Sequence, residues 1–210
     1  MEKLKILVAV PNLGNIRAEL SVMFLRWVSN PKYQVKIWTP QHFIPLDYAR
    51  NVIRKTFLEE SHDFLLMIDA DVVPPEATIE LADLDLDVVA PVCYVLKDKG
   101  VIPMALKRVK DGWQVVGDLE RNQLVCVDSA GAGCLMIALR VLEKVPLFRF
   151  EYDGDGMLLR DEGFSWSDNV KKAGFDIFVF TNLVCQHFKT VDLLKLVELQ
   201  NEARRVSYAK

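Results

Sequence analysis

The segment that most constrains this chain is Phe64-Leu65-Leu66-Met67-Ile68-Asp69-Ala70-Asp71, in which five consecutive apolar residues stop at a pair of carboxylates. An apolar run without polar alternation describes a strand buried on both faces, the habit of parallel sheets covered by helices. Val72-Val73-Pro74-Pro75 then turns the chain, because proline lacks the N–H that a ladder needs. The carboxyl end of such a strand is where α/β sheets present polar groups to ligands, so Asp69 and Asp71 mark a candidate site. Converging carboxylates repel unless something positive lies between them. Mg²⁺ or Mn²⁺ accepts such oxygen ligands and can bridge them to phosphates. The plain alternative is that both acids cap a helix starting near Pro75.

The run does not stand alone. Residues 6–10 form a second continuous apolar stretch, ended by Pro11-Asn12-Leu13-Gly14, and residues 35–38 and 88–90 read as further strands. Between them, residues 18–28 have helical spacing. Asp47 is the expected cap of another helix, with Val52, Ile53, Phe57 and Leu58 facing inward, and a third helix is expected over 76–84. Strands alternating with helices imply a doubly wound, mainly parallel sheet. After Pro91 the pattern changes to short runs at 104–109, 113–116 and 124–127, so a mixed, more antiparallel C-terminal part is expected. Ala130-Gly131-Ala132-Gly133 is a small-residue loop before the apolar stretch 134–139. Asp153-Gly154-Asp155-Gly156 reads as a mobile loop, and a helix is expected over 165–173, stopped by Gly174. Final strands are expected at 177–180 and 183–185, followed by an amphipathic helix over 191–206.

With 210 residues and 51% hydrophobic content, the chain can bury a sizeable core and is expected to form one domain. A net charge of -3 and scattered basic residues argue against a nucleic-acid partner. Cys93, Cys126, Cys134 and Cys185 lack the close spacing of zinc sites and read as buried thiols of a reducing compartment. Met1-Glu2-Lys3-Leu4-Lys5 and the short apolar stretch after it lack a signal-peptide pattern, so a cytoplasmic protein is expected. The C-terminal segment is a candidate for docking on a membrane surface or on a second copy of the chain, although its few aromatics favour packing on the domain.

Five segments in one order, Val8-Ala9-Val10-Pro11-Asn12, Tyr48-Ala49-Arg50-Asn51, 64–75, 127–137 and 161–187, resemble the GT-A-type glycosyltransferases, in particular small family-2-like members. The resemblance implies a single GT-A-like domain. Residues 1–91 would form the nucleotide-binding half, 92–190 the acceptor and catalytic half, and 191–210 a C-terminal helix. In that family the Asp-X-Asp element binds the metal and a nucleotide diphosphate sugar of the UDP or GDP type. It implies Asp71 as a direct metal ligand, Asp69 nearer the ribose or a metal-bound water, and Ala70 beside the donor. His187 matches the late histidine that completes the metal site, and neutral imidazole is a competent Mn²⁺ ligand. Pro11 and Asn12 match the loop that wraps the base. Arg50 matches an arginine beneath the nucleotide, which can pair with phosphate or anchor a loop carboxylate. Gly131, Ala132 and Gly133 match a loop flanking the sugar and acceptor pocket, where absent side chains admit a ligand closely.

The chain departs from the family at the catalytic acid. Members carry adjacent Glu-Asp before a helix, whereas here the order is Asp161-Glu162-Gly163. Counting back from Ala173-Gly174 sets Gly163 on the usual base position, which leaves Glu162 as first candidate, Asp161 as second and Asp168 as third. The implied activity is metal-dependent sugar transfer to an acceptor hydroxyl. Two alternatives stand beside it. One is a haloacid-dehalogenase-like phosphatase with Asp69 as nucleophile, and the other is a catalytically impaired nucleotide-sugar-binding module, motivated by Gly163.

Overall fold

A computed structural model of the protein describes residues 2–97, 100–110, 112–117, 119–190, 193–194, 197–198 and 201. Strand β1 (Lys5–Ala9) leads to helix α1 (Ala18–Val28), and β2 (Gln34–Trp38) leads to helix α2 (Leu46–Glu59). Strand β3 (Phe64–Ile68) is followed by the short β4 (Val72–Val73), a 3-10 helix (Glu76–Leu84) and β5 (Val88–Val92). Then come β6 (Tyr94–Lys97), β7 (Gly100–Pro103), β8 (Ala105–Val109), β9 (Gly112–Val115), β10 (Leu124–Val127), β11 (Ser129–Ala130) and β12 (Cys134–Ala138). Helix α3 (Leu139–Lys144), strands β13 (Glu151–Tyr152) and β14 (Leu158–Arg160), helix α4 (Glu162–Lys172), β15 (Ile177–Val184) and β16 (Gln186–His187) complete the described elements.

Seven strands make one sheet in the order β10-β15-β5-β12-β3-β1-β2. Strand β1 pairs in parallel with β2 and β3, and β5 in parallel with β15. Strand β12 runs antiparallel between β3 and β5, and β10 antiparallel along β15. The fold is α/β, with a mainly parallel N-terminal sheet that continues into a mixed C-terminal part. Strand β3 lies inside the sheet between β12 and β1, where Phe64 is 4% exposed and the next four residues 0%, as its unbroken apolar run requires. That depth lets only the ends of β3 reach solvent.

Several boundaries differ from the sequence reading for local reasons. Asp47 lies in the first turn of α2 rather than at its cap, and its carboxylate accepts from the Tyr48 amide at 2.8 Å. The buried face of α2 is Ala49, Arg50, Ile53 and Phe57, so the helix presents a charged residue inward. Helix α4 begins at Glu162 rather than Ser165, because Asp161 accepts from the Phe164 amide and caps it. Residues 139–144 close the apolar run 134–139 as helix α3. The expected mobile loop is a hairpin tip whose Asp153 Oδ1 accepts from the Asp155 and Met157 amides at 2.9 and 2.8 Å. Strand β15 unites the two final strands with an irregularity between Phe180 and Val184. Of the expected C-terminal helix, residues 193–194, 197–198 and 201 are helical, and the remainder lies outside the described residues. No helix among the described residues is long and apolar enough to cross a membrane.

Candidate functional site

The acidic pair after β3 divides. The chain turns there, with the Val72 amide donating to the Asp69 carbonyl at 3.0 Å and the Asp69 amide to the Gly133 carbonyl at 2.9 Å. Extended backbone would send residues 69 and 71 to one face; the turn breaks that alternation. Asp69 Oδ1 accepts from Arg50 Nη2 at 2.9 Å. Asp71 instead faces a second cluster, where its Oδ2 lies 2.5 Å from Lys189 Nζ and 3.5 Å from His187 Nε2.

Strand pairing brings His187 there. Strand β16 runs antiparallel to β4 with His187 opposite Val72, and the Phe188 amide donates to the Asp71 carbonyl at 2.9 Å. His187 Nδ1 is 2.7 Å from the Tyr94 carbonyl, which can only accept, so Nδ1 carries a proton, and Nε2 on the other side of the ring is the nitrogen that faces Asp71. One carboxylate oxygen and one imidazole nitrogen thus approach the same region, a donor set that suits Mn²⁺. The Lys189 ammonium already provides a cation there. Among the described residues no group of three or more His, Cys, Asp or Glu side chains is gathered to hold a metal, and Asp69 is turned away to Arg50.

Arg50 is 1% exposed and ties three elements together. From α2 its Nη2 reaches Asp69 at the end of β3, and its Nε donates to Glu162 Oε1 in α4 at 3.0 Å. Burial opposes the guanidinium charge, but Asp69 and Glu162 outweigh it and hold the Arg50 pKa above its ordinary value. Of the two roles open to this arginine, the geometry realises the anchoring of carboxylates. The helical spacing Ala49, Arg50, Ile53, Phe57 is the signal that could have announced its burial.

The three acids considered for catalysis have different surroundings. Glu162 is 5% exposed and held by Arg50. Asp161 is exposed and caps α4, its Oδ1 accepting from the Phe164 amide at 2.9 Å. Asp168 is bound by Arg108 and Arg160. Gly163 has a packing reason: a Cβ there would stand 2.9 Å from Ala132 Cβ, so α4 and the small-residue loop meet only through a glycine. At Gly131 a Cβ would lie 2.9 Å from Met104 Cβ, so protein packing, too, demands small residues in this loop.

Three hollows adjoin one another along this surface. The largest, about 740 Å³, is bordered by Pro11, Asn12, Ala70, Asp71, Arg17 and Lys189. Through Asp69 and Leu46 it meets a cavity of about 250 Å³ walled by Arg50, Gly131, Ala132, Gly133, Glu162 and His187. Through Asp161 and Phe164 that cavity meets an outer cleft of about 290 Å³ with Trp113, Leu158 and Leu159. Asn12 is committed to its own loop, donating to the Val10 and Pro40 carbonyls at 3.1 and 3.2 Å and accepting from the Gly14 amide at 2.9 Å. The sequence reading missed Lys189, Arg17 and Trp113 here; only the position of Lys189 two residues after His187 carried a hint.

The thiols divide as well. Cys126 is exposed, contrary to the expected burial, while Cys93, Cys134 and Cys185 are buried. Cys185 shares hydrogen bonds with the other two: its bond to Cys93, with burial, pushes the Cys93 thiol up, the bond with Cys134, with burial, pushes Cys185 up, and burial raises Cys134. Cys93 reaches the 250 Å³ cavity.

No family model matches the chain, and no curated protein matches it. Among solved structures it is similar to A197 from STIV, with a TM-score of 0.59 and 20% identity over 89% of this chain and 87% of that one. It is also similar to GalNAc-T7, crystallised with UDP, GalNAc and Mn2+, with a TM-score of 0.54 and 12% identity. That match covers 90% of this chain but 44% of GalNAc-T7, so the protein spans less than half of that neighbour. At such identities the likeness establishes the fold alone, which is GT-A-like.

Proposed function

We propose that the protein is a metal-dependent glycosyltransferase of the small family-2-like kind, moving a sugar from a UDP- or GDP-type nucleotide sugar to an acceptor hydroxyl. One observation carries the reading: the large hollow beside Asp71 shares Asp69 as a wall with a smaller cavity, which shares Asp161 with an outer cleft. A nucleotide in the first, its sugar in the second and an acceptor entering by the third would meet beside a carboxylate. Residues 1–91 would then serve the donor and 92–190 the acceptor. The UDP, GalNAc and Mn2+ of GalNAc-T7 lend support. A cytoplasmic setting belongs to the same proposal, supported by four free cysteines.

Asp71 and His187 would hold Mn²⁺ or Mg²⁺, which when bound offsets charge developing on the leaving diphosphate. For the base we favour Asp161 over Glu162, since Asp161 is exposed and borders both inner cavity and outer cleft. Asp161 takes the acceptor proton as the hydroxyl attacks the anomeric carbon. Glu162, held through Arg50 to Asp69, positions the start of α4 against the donor side. The phosphatase alternative asks Asp69 to attack phosphorus, and the Arg50 hydrogen bond on Asp69 Oδ1 weighs against it.

Thermal denaturation with UDP, GDP or CDP, each with Mn²⁺ or with chelator, tests the reading. One nucleotide class should stabilise the fold only with metal, by about 2.7 kcal/mol at a hundredfold excess over Kd. Asp71→Ala should abolish that gain, and an unchanged gain would exclude the metal role. Stabilisation without sugar transfer or donor hydrolysis across acceptors would identify a binding module instead.

A further inference from the structure

The segment that delivers His187 to Asp71 also delivers a cation. It is fixed as far as Phe188, by the β16–β4 pairing, by the Phe188 amide on the Asp71 carbonyl, and by the Arg17 guanidinium 3.8 Å over the Phe188 ring. Beyond that anchor the Lys189 side chain is 52% exposed on a flexible stem, with its ammonium 2.5 Å from Asp71 Oδ2. That oxygen is the one His187 Nε2 approaches at 3.5 Å. Arg17, another cation bordering the 740 Å³ hollow, is held by Glu19 at 3.0 Å and by Phe188, so it lacks the same freedom.

We propose that Lys189 is an exchangeable internal cation: it neutralises Asp71 in the unliganded site and yields that carboxylate to a divalent ion when a nucleoside diphosphate offers its ammonium new oxygens. The inference rests on the metal and nucleotide reading above. An ammonium 2.5 Å from Asp71 Oδ2 and a divalent cation on the same carboxylate repel one another and compete for its charge, so each weakens the other. The displaced ammonium needs an anion, and a diphosphate in the adjoining hollow supplies it. Metal and nucleotide therefore assist one another's binding by the same factor, as linkage requires. The lysine keeps the site from loading metal without substrate.

The test uses Mn²⁺ alone, titrated by electron paramagnetic resonance, with the full chain and its Lys189→Met, Lys189→Arg and Asp71→Asn variants. Lys189→Met should bind Mn²⁺ on the order of fivefold tighter, the scale of an exposed ion pair. Lys189→Arg, which keeps the charge, should bind it as weakly as the unmodified chain. With chelator present, Lys189→Met should bind UDP or GDP several-fold more weakly. Unchanged or weaker Mn²⁺ binding by Lys189→Met, while Asp71→Asn still loses the ion, overturns the exchange and leaves the site reading intact. Mn²⁺ binding indifferent to Asp71→Asn overturns both.

Discussion

Two ion-pair clusters grow from one turn after β3, and they differ chiefly in their access to water. Arg50, Asp69 and Glu162 meet with the guanidinium 1% exposed, joining α2, β3 and α4. Two residues on, Asp71 meets Lys189 and His187 with side-chain exposures of 39%, 52% and 13%. In the first cluster Arg50 and Glu162 are removed from bulk water while Asp69 is 27% exposed, so parting the inner two strands a buried charge. In the second, water screens each ion and partners exchange at little cost. The proposed donor site would draw on both kinds: a frame that does not yield and a cation position that does.

The contrast can be broken most forcefully at Arg50. Arg50→Met leaves Glu162 unpaired in the interior and takes the partner from Asp69, and should cost about 3–5 kcal/mol of stability in chemical denaturation. A loss below about 1 kcal/mol would make the buried triad no different from an exposed pair. Next is the base. Asp161→Asn keeps a good helix cap but cannot accept a proton, so turnover should fall about 10²–10⁴-fold with nucleotide binding retained. If Glu162→Gln costs more turnover than Asp161→Asn at equal folded fraction, the base belongs to the buried cluster. Gly163→Ala forces a Cβ to within 2.9 Å of Ala132 Cβ and should cost about 1–3 kcal/mol by overpacking. The smallest effect is expected at Asp71, where replacement by Ala should change stability without ligand by about 1 kcal/mol or less. Equal losses for Arg50→Met and Asp71→Ala would erase the distinction.

Much of the framework was legible in the chain. Residues 18–28 show helical spacing and form α1 with those bounds, and the apolar run at β3 is buried as that pattern demands. Burial of Arg50 was written in the spacing of Ala49, Ile53 and Phe57, but an arginine on that face is easily read as exposed when its partners lie 19 and 112 residues away. Helix α3 was hidden because an apolar run continuing into its first turn reads alike for strand and buried helix. The cysteines gave no sign of assembly, since Cys93, Cys134 and Cys185 meet only where β5 and β15 end and β12 begins.

Local pattern by itself determined where strands run, where they stop and that acids stand at the stop, because burial of apolar runs and the turning effect of proline act over a few residues. Tertiary structure alone decided which acid does what. The turn at residues 69–71 sends one carboxylate to the buried Arg50 and the other to the exposed Lys189, and the β16–β4 register brings His187 and Lys189 to Asp71 across 116 and 118 residues of sequence. A carboxylate's role follows from the charge beside it and the water around it, and both come from distant parts of the chain.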